Sequence, residues 1–285
     1  MAITPSSTGS VSRGVPVPGG HPGTLPALAH GMLADARRRD ALLATLGLVA
    51  LLTLWEWAAR QAGPALIPSP RTVAVRLWRE TTAGPLLYHL EATTLRVLSA
   101  TILGLVAGGA AGLWMGLSRR ADAFFGPWLV TALAIPRLLI IVVAYLTVGL
   151  DETAAVLATA ASVAPGVAAA MREAARALDR KLLDMATVFP VPRMARWRYV
   201  LLPQVMPYLA GSARVAVGLA FKMVLFAELL GRPSGVGYQI HFYFQMFNMQ
   251  AILAYGVATV AVAQAAESLM RAAERRVFRW RPPAP

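Results

Sequence analysis

Three stretches of this chain hold side chains whose type and spacing suit them to specific work. The first, Leu183 to Leu209, reads LLDMATVFPVPRMARWRYVLLPQVMPYL from Leu182 on: basic, proline-broken, and set between two long apolar segments. LLDMATVF is predicted as a short helix with Asp184 in its first turn, where the positive end of the helix dipole favours an acid. Pro190 and Pro192 cannot continue that helix, since proline lacks the amide hydrogen and clashes with the preceding turn. The residues before them are pushed toward extended geometry. RMARWRYVLL then resumes helical spacing as far as Pro203. The expected product is an elbow of two short helices that offers Arg193, Arg196, Trp197 and Arg198 to a partner. Its chemistry is docking, through cations and aromatic planes.

The second stretch type is a charge inside an apolar run: Arg137 in AIPRLLIIVVAYL and Lys222 in VGLAFKMVLFAELL. A charge at membrane depth costs roughly 2.5–3.5 kcal/mol on insertion scales, so it faces a cavity or a partner. These two cations are expected to line a polar pathway and to favour an anionic solute. Pro136 would help by interrupting its helix and freeing carbonyls. The plainer alternative is that they snorkel, or pair with Glu228 or Glu56; Lys222 and Glu228, six residues apart, do not share a helix face. The third stretch, AELLGRPSGVGYQI, sets Glu228 just ahead of Gly231, Gly235 and Gly237, glycines that allow a tight turn.

Other chemistries are missing. No G-x-x-x-x-G-K-[ST] occurs, so nothing in this chain can cradle ATP phosphates, and no cofactor is expected in it. His21, His30, His89 and His241 are scattered without metal-ligand spacing, so no metal site and no catalytic residue is expected. With no cysteine, there is no disulfide framework. No cluster of acids and histidines at one depth suggests an embedded enzyme.

The elements that must hold these residues are membrane helices. Charged residues make up only 14% of the chain, against about 25% in soluble proteins, and 57% are hydrophobic with a mean hydropathy of +0.56. The net charge of +13 lies between apolar runs rather than on one patch, as cytoplasmic loops of a membrane protein require and a nucleic-acid binder does not. Residues 1–36, rich in Pro, Gly, Ser and Thr, read as a disordered tail. Arg37, Arg38 and Arg39 precede a first span with Trp55 and Trp57 as interface anchors, and RTVAVRLWRE follows as a short amphipathic helix, the two together covering 37–92. Further spans are expected at 93–117, 125–149, 153–171, 205–230 and 250–270, within a core of 93–271 whose basic loop is 172–204. A basic tail, 272–285, closes the chain. Gly104, Gly108, Gly112 and Gly116, four residues apart, allow close helix packing in lipid. The expected class is therefore an all-α membrane protein with six transmembrane helices, multi-pass, both termini cytoplasmic.

The basic loop resembles the coupling loop of ABC-importer permeases, whose pattern is E-A-A, three residues, G, nine residues, I-x-L-P. Asp184, Met185, Ala186, Pro190, Val200, Leu202 and Pro203 fall on that spacing, with Asp for Glu, Met for Ala, Pro for Gly and Val for Ile. A literal Glu173-Ala174-Ala175 lies upstream, but its register leaves VLLPQVMP unexplained and it is read as a decoy. IPSPRTV, HLEATTLRVLSATILGLVAGGAAGLWMGLSRRAD and AELLGRPSGVGYQI extend the resemblance, over residues 64–281, to importer permeases of the sulfonate, nitrate and taurine type. That resemblance implies a homodimeric permease of the type I importer fold in a bacterial inner membrane. It also implies two cytoplasmic ATPase subunits and an extracytoplasmic solute-binding protein as partners. Residues 184–203 would then fit a cleft on the ATPase, with Asp184 capping the first coupling helix and Met185 and Phe189 filling apolar pockets. The Glu228, Gly231, Gly235 and Gly237 region would be the gate and docking surface. A small sulfonate, taurine or nitrate leads among cargoes, ahead of a thiamine-precursor pyrimidine or an aromatic acid. An ion-driven transporter is the rival class, but the halves of the chain show no inverted similarity.

Overall fold

The computed structural model describes residues 25–63, 66–188 and 192–278. Phe189 and Pro190 of the elbow lie outside the described residues. The chain divides into two compact units at Trp57. The first holds most of α1 (Leu25–Ala62). Residues 1–24 of the expected tail lie outside the described residues, and from Leu25 on LPALAHGMLADARRR, mostly good helix formers, is helical.

The second unit takes in the last turn of α1 and then α2 (Pro70–Thr82), the amphipathic helix foreseen after the first span. Ser69 caps it by accepting a hydrogen bond from the Thr72 amide at 3.3 Å, and Pro70 occupies its first position. Next comes α3 (Leu86–Leu117), which starts seven residues before the span expected at 93. Hydropathy misses that polar opening, YHLEATTLR, because His89, Thr93 and Arg96 are buried there among partners rather than solvated. The third expected span is not one helix. α4 (Arg119–Ala134) and α5 (Arg137–Val148) meet at 96°, with Ile135 extended (φ −65°, ψ 128°) in front of Pro136.

The chain continues with α6 (Glu152–Arg176), the short α7 (Arg180–Val188) and α8 (Arg193–Arg196), then α9 (Leu202–Gly231), α10 (Val236–Gln245) and α11 (Met249–Val277). Among the described residues four helices are long and apolar enough to cross a membrane, and the bent α4–α5 pair would make a fifth. The 30-residue α9, which carries Arg214, Lys222 and Glu228, is not among those, so the count of six does not follow from length and composition alone.

The core is a helix-on-helix seam. α3 and α6 form the most extensive pair, and α9 packs against both. A β-carbon at Gly108 or Gly112 would run into the carbonyls of Ala164 and Ala168, and one at Gly116 into Ala175. The glycine stripe therefore lets the backbones of α3 and α6 approach directly. Val97, Val163, Val167, Leu201 and Val224 fill the space between α3, α6 and α9, while Ile141, Tyr145, Ala158, Met223 and Ala227 join α5, α6 and α9.

Candidate functional site

Two sites stand at opposite ends of α9. At its beginning is the elbow. α7 starts at Arg180, so Asp184 falls in its second turn, not its first; the acid at the helix start is Asp179, whose side chain accepts from the Lys181 amide at 2.9 Å. The expected end at Pro203 is absent too. α8 passes into a π-helical turn, Trp197–Leu201, where the Leu202 amide bonds to the Trp197 carbonyl, and α9 continues through Pro203 in its first turn. The wide turn accommodates a ring that would collide with the backbone of a regular helix interior, and Pro203 is tolerated where first-turn amides need no intrahelical partner.

Gln204 pins the two arms of the elbow together. Its amide oxygen accepts from the Asp179 backbone N–H at 2.9 Å, and its amide nitrogen donates to the Val200 carbonyl at 2.9 Å. The elbow presents an apolar surface: Met185, Val188, Met194, Trp197 and Tyr199 are all exposed. Asp184 is exposed on α7, and Leu202 on the first turn of α9, while Leu201 turns into the core. Trp197 also lines an apolar groove of about 560 Å³ with Leu113, Met171 and Leu209, and so links the elbow to α3 and α6. The upstream Glu173-Ala174-Ala175 presents no comparable face. Ala174 and Ala175 are buried, and Glu173 pairs with Arg176 at 3.2 Å. Asp122 of α4 is ion-paired to both Arg172 and Arg176 at 2.5 Å, which fastens the end of α6 next to the elbow.

At the other end of α9, Glu228 is not at the surface. It is 1% exposed and accepts from Arg96 Nη1 at 2.7 Å, the Gly237 amide at 2.8 Å and the Thr93 hydroxyl at 2.9 Å. Arg96 grips Glu152 with Nε and Nη2 at 2.6 and 2.9 Å, and donates to both the carbonyl and the hydroxyl of Ser234 at 2.8 Å. Arg232 adds a bond to Glu152 at 2.8 Å and one to the Leu150 carbonyl at 2.9 Å. Two acids and two guanidinium groups thus tie α3, α6, α9 and the 232–235 loop into one charge-balanced network. Such a network is most favourable when every member is satisfied, and here Arg232 Nε is left buried without a partner.

His89 completes it. Its Nδ1 accepts from the Gly235 amide at 3.0 Å, so the ring proton sits on Nε2, 2.7 Å from the Gln239 side-chain amide. The group facing that proton must be the Gln239 oxygen, which otherwise is buried without a partner. The glycines are needed for space more than for mobility. Gly235 adopts φ +106°, and a β-carbon there would overlap the Glu228 carboxylate. At Gly237 it would meet the Leu225 carbonyl, and at Gly231 the side chains of Leu150 and Tyr145.

The structure therefore brings together Glu228, Gly235 and Gly237, sets Gly231 beside them against α5, and leaves Arg137 and Lys222 apart. Neither of those cations pairs with Glu228; that role belongs to Arg96, which the sequence reading passed over. A signal was present. If the second span is begun at Leu86, Arg96 lies in its third turn, and it and Glu228 form an acid and a base embedded in different apolar helices.

The fold matches two crystal forms of the inward-facing MetNI methionine ABC transporter, with TM-scores of 0.58 and 0.60 at 20% and 18% identity. These matches cover 68% and 70% of this chain and 94% and 97% of those chains. Residues 100–279 match the family described as binding-protein-dependent transport system inner membrane component, and the chain belongs to that family. It is a transport subunit, not an enzyme.

Among its relatives is the putative aliphatic sulfonates transport permease protein SsuC of Bacillus subtilis, 27% identical over 76% of this chain and 78% of its own length. The taurine transport system permease protein TauC of Escherichia coli is 25% identical over 85% and 90%. The riboflavin transport system permease protein RibX of Chloroflexus aurantiacus is 27% identical over 82% and 88%.

Proposed function

We propose that this chain is the membrane permease of an ATP-driven importer for a small sulfonate-type anion, operating as two copies on a cytoplasmic ATPase dimer. With α9 counted as a span, α1, α3, the bent α4–α5 pair, α6, α9 and α11 cross the membrane six times and leave both termini in the cytoplasm. The elbow carries the reading. Met185 on α7 and Met194 and Trp197 on α8 and the π turn are exposed, Gln204 reaches back to the Asp179 amide ahead of α7, and α8 is continuous with α9 through the π turn, which suits a surface that transmits motion from an ATPase. Asp184, exposed on α7, provides a charged contact and Leu202 an apolar one, and Arg193, Ala186, Val200 and Pro203 join the coupling segment by their place in the sequence. ATP and Mg²⁺ bind to the ATPase. The opposite end, with Glu228, Gly231, Gly235 and Gly237, serves as the outer gate against which a solute-binding protein docks, Glu228 acting from inside by holding the loop in shape.

The relatives named for sulfonates and taurine support the cargo. A flat aromatic solute is the second reading, favoured by the relative named for riboflavin. The test is gentle purification of the tagged chain from native membranes, followed by identification of its partners and by uptake measurements in proteoliposomes with taurine and riboflavin. An ATPase and a binding protein in the complex, with ATP-dependent taurine uptake, are expected. A homo-oligomer free of ATPase, under conditions that hold a control importer together, would overturn the importer reading, and uptake of riboflavin alone would replace the cargo.

A further inference from the structure

Most acids on the described apolar helices already have partners. Glu152 and Glu228 are held by Arg96 and Arg232, and Glu80 by Arg76 and the hydroxyls of Tyr243 and Tyr255. Arg137 and Lys222 have none: both are exposed, and neither forms an ion pair or a side-chain hydrogen bond among the described residues. Lys222 cannot reach the end of its helix. Nine residues separate it from Gly231, the last of α9, a distance of about 14 Å at 1.5 Å per residue.

The two cations share a level. α5 and α9 run in the same direction, because the Tyr145 hydroxyl bonds to the Ala227 carbonyl and Arg232 bonds to the Leu150 carbonyl. The same offset of 82 residues sets Arg137 opposite Leu219. A helical side chain leans toward the N-terminus of its helix, so the Lys222 stem is directed toward that level, one turn back along α9. Gly218 leaves the space open: no atom lies within 4 Å of where its β-carbon would be, and the same holds at Gly211. Gly211, Val215, Gly218, Lys222 and Phe226 form a face of α9 that is only partly covered or exposed within one copy, while Ala216, Ala220, Val224 and Ala227 turn inward.

Lipid is a poor cover for a face centred on an unpaired lysine. Small residues, by contrast, suit the close approach of a second helix. We propose that this face lines the pathway between two copies of the chain, and that Lys222 and Arg137 of both copies form a transit site for a small anion, the guanidinium offering a two-pronged contact and the ammonium a point charge. The site excludes cations by repulsion and leaves the choice among anions to other components. It rests on the two-copy importer reading above.

The chain has no cysteine, so a single introduced thiol is the only one in the permease, and its labelling is read on the separated permease chain. The assay uses the complete complex in proteoliposomes, with Gly218→Cys or, as a second reporter, Val215→Cys. The rates of reaction with an anionic sulfonatoethyl and a cationic trimethylammonioethyl methanethiosulfonate are compared. Both reagents should react, and relative to their rates with a free thiol in solution the anionic one should be favoured. Lys222→Gln should lower the anionic-to-cationic rate ratio by about tenfold, as removal of a unit charge a few ångströms away implies, and Arg137→Gln should lower it further. Thiols inert to both reagents at both positions, or a ratio unmoved by Lys222→Gln, would overturn the proposal. ATPase co-purification from the same preparations reports on the importer reading independently of the thiol rates.

Discussion

Removing Arg96 should expose how the network around Glu228 is balanced. In the native chain the side chains of Arg96 and Glu228 are 4% and 0% exposed and 2.7 Å apart. Arg96→Met keeps the length of the aliphatic stem but strips a buried carboxylate of its counter-charge, a change worth about 3–5 kcal/mol. Glu228→Gln in the native background loses a charge-assisted bond and should cost about 1.5–3 kcal/mol. In the Arg96→Met background the same replacement removes the uncompensated charge while keeping an acceptor for the Gly237 amide. It should then stabilise by about 1–2 kcal/mol, a reversal of sign that marks direct coupling. Unfolding of the purified chain in mixed micelles, followed by circular dichroism as the denaturing detergent fraction rises, reads all four corners of the cycle. Arg71→Met, an exposed residue outside the network, should stay within about 0.5 kcal/mol. If Glu228→Gln costs the same with and without Arg96, the two groups are not coupled and the reasoning fails.

Three further outcomes are expected. Gly235→Ala should destabilise by about 2 kcal/mol or more, since it strains a backbone at φ +106° and drives a methyl into the Glu228 carboxylate; a fall in melting temperature checks it. Tyr145→Phe should cost about 1 kcal/mol through the lost bond to the Ala227 carbonyl, with the fold unchanged by circular dichroism. Trp197→Ala should weaken affinity for the ATPase by roughly 30-fold, as loss of an aromatic anchor does, measured by titration of the ATPase onto the permease in nanodiscs.

Apolar length made most of the helices legible, although α9, interrupted by Arg214, Lys222 and Glu228, does not qualify as a span on length and composition. The glycine spacing from Gly104 to Gly116 foretold close packing, and the α3–α6 seam uses it. Two kinds of feature stayed hidden. Helix starts built from polar residues, such as YHLEATT at the head of α3, carry no hydropathy signal, because their burial depends on partners from α9 and α10 far along the chain. Proline also reads ambiguously. Pro136 breaks α4 from α5, whereas Pro203 is absorbed by a wide turn and Pro165 and Pro207 lie inside continuous helices. Whether a proline ends a helix depends on whether packing on both sides repays the missing bond, and sequence spacing does not contain that information. Asp179 and Gln204, which close the elbow, are unremarkable in sequence and matter only because the fold brings them within reach.

The placement of elbow and network on one helix has a mechanical result. α9 runs 30 residues, about 45 Å at 1.5 Å per residue, with Gln204 near one end and Glu228 near the other. A torque applied where the π turn feeds into it is delivered undivided to the far end of a stiff shaft. There Glu228 is gripped by donors from α3 and from the start of α10, so a small twist strains all of those bonds together. On the importer reading proposed above, the shaft then has a detent: it holds against small loads and yields only when a full power stroke reaches it.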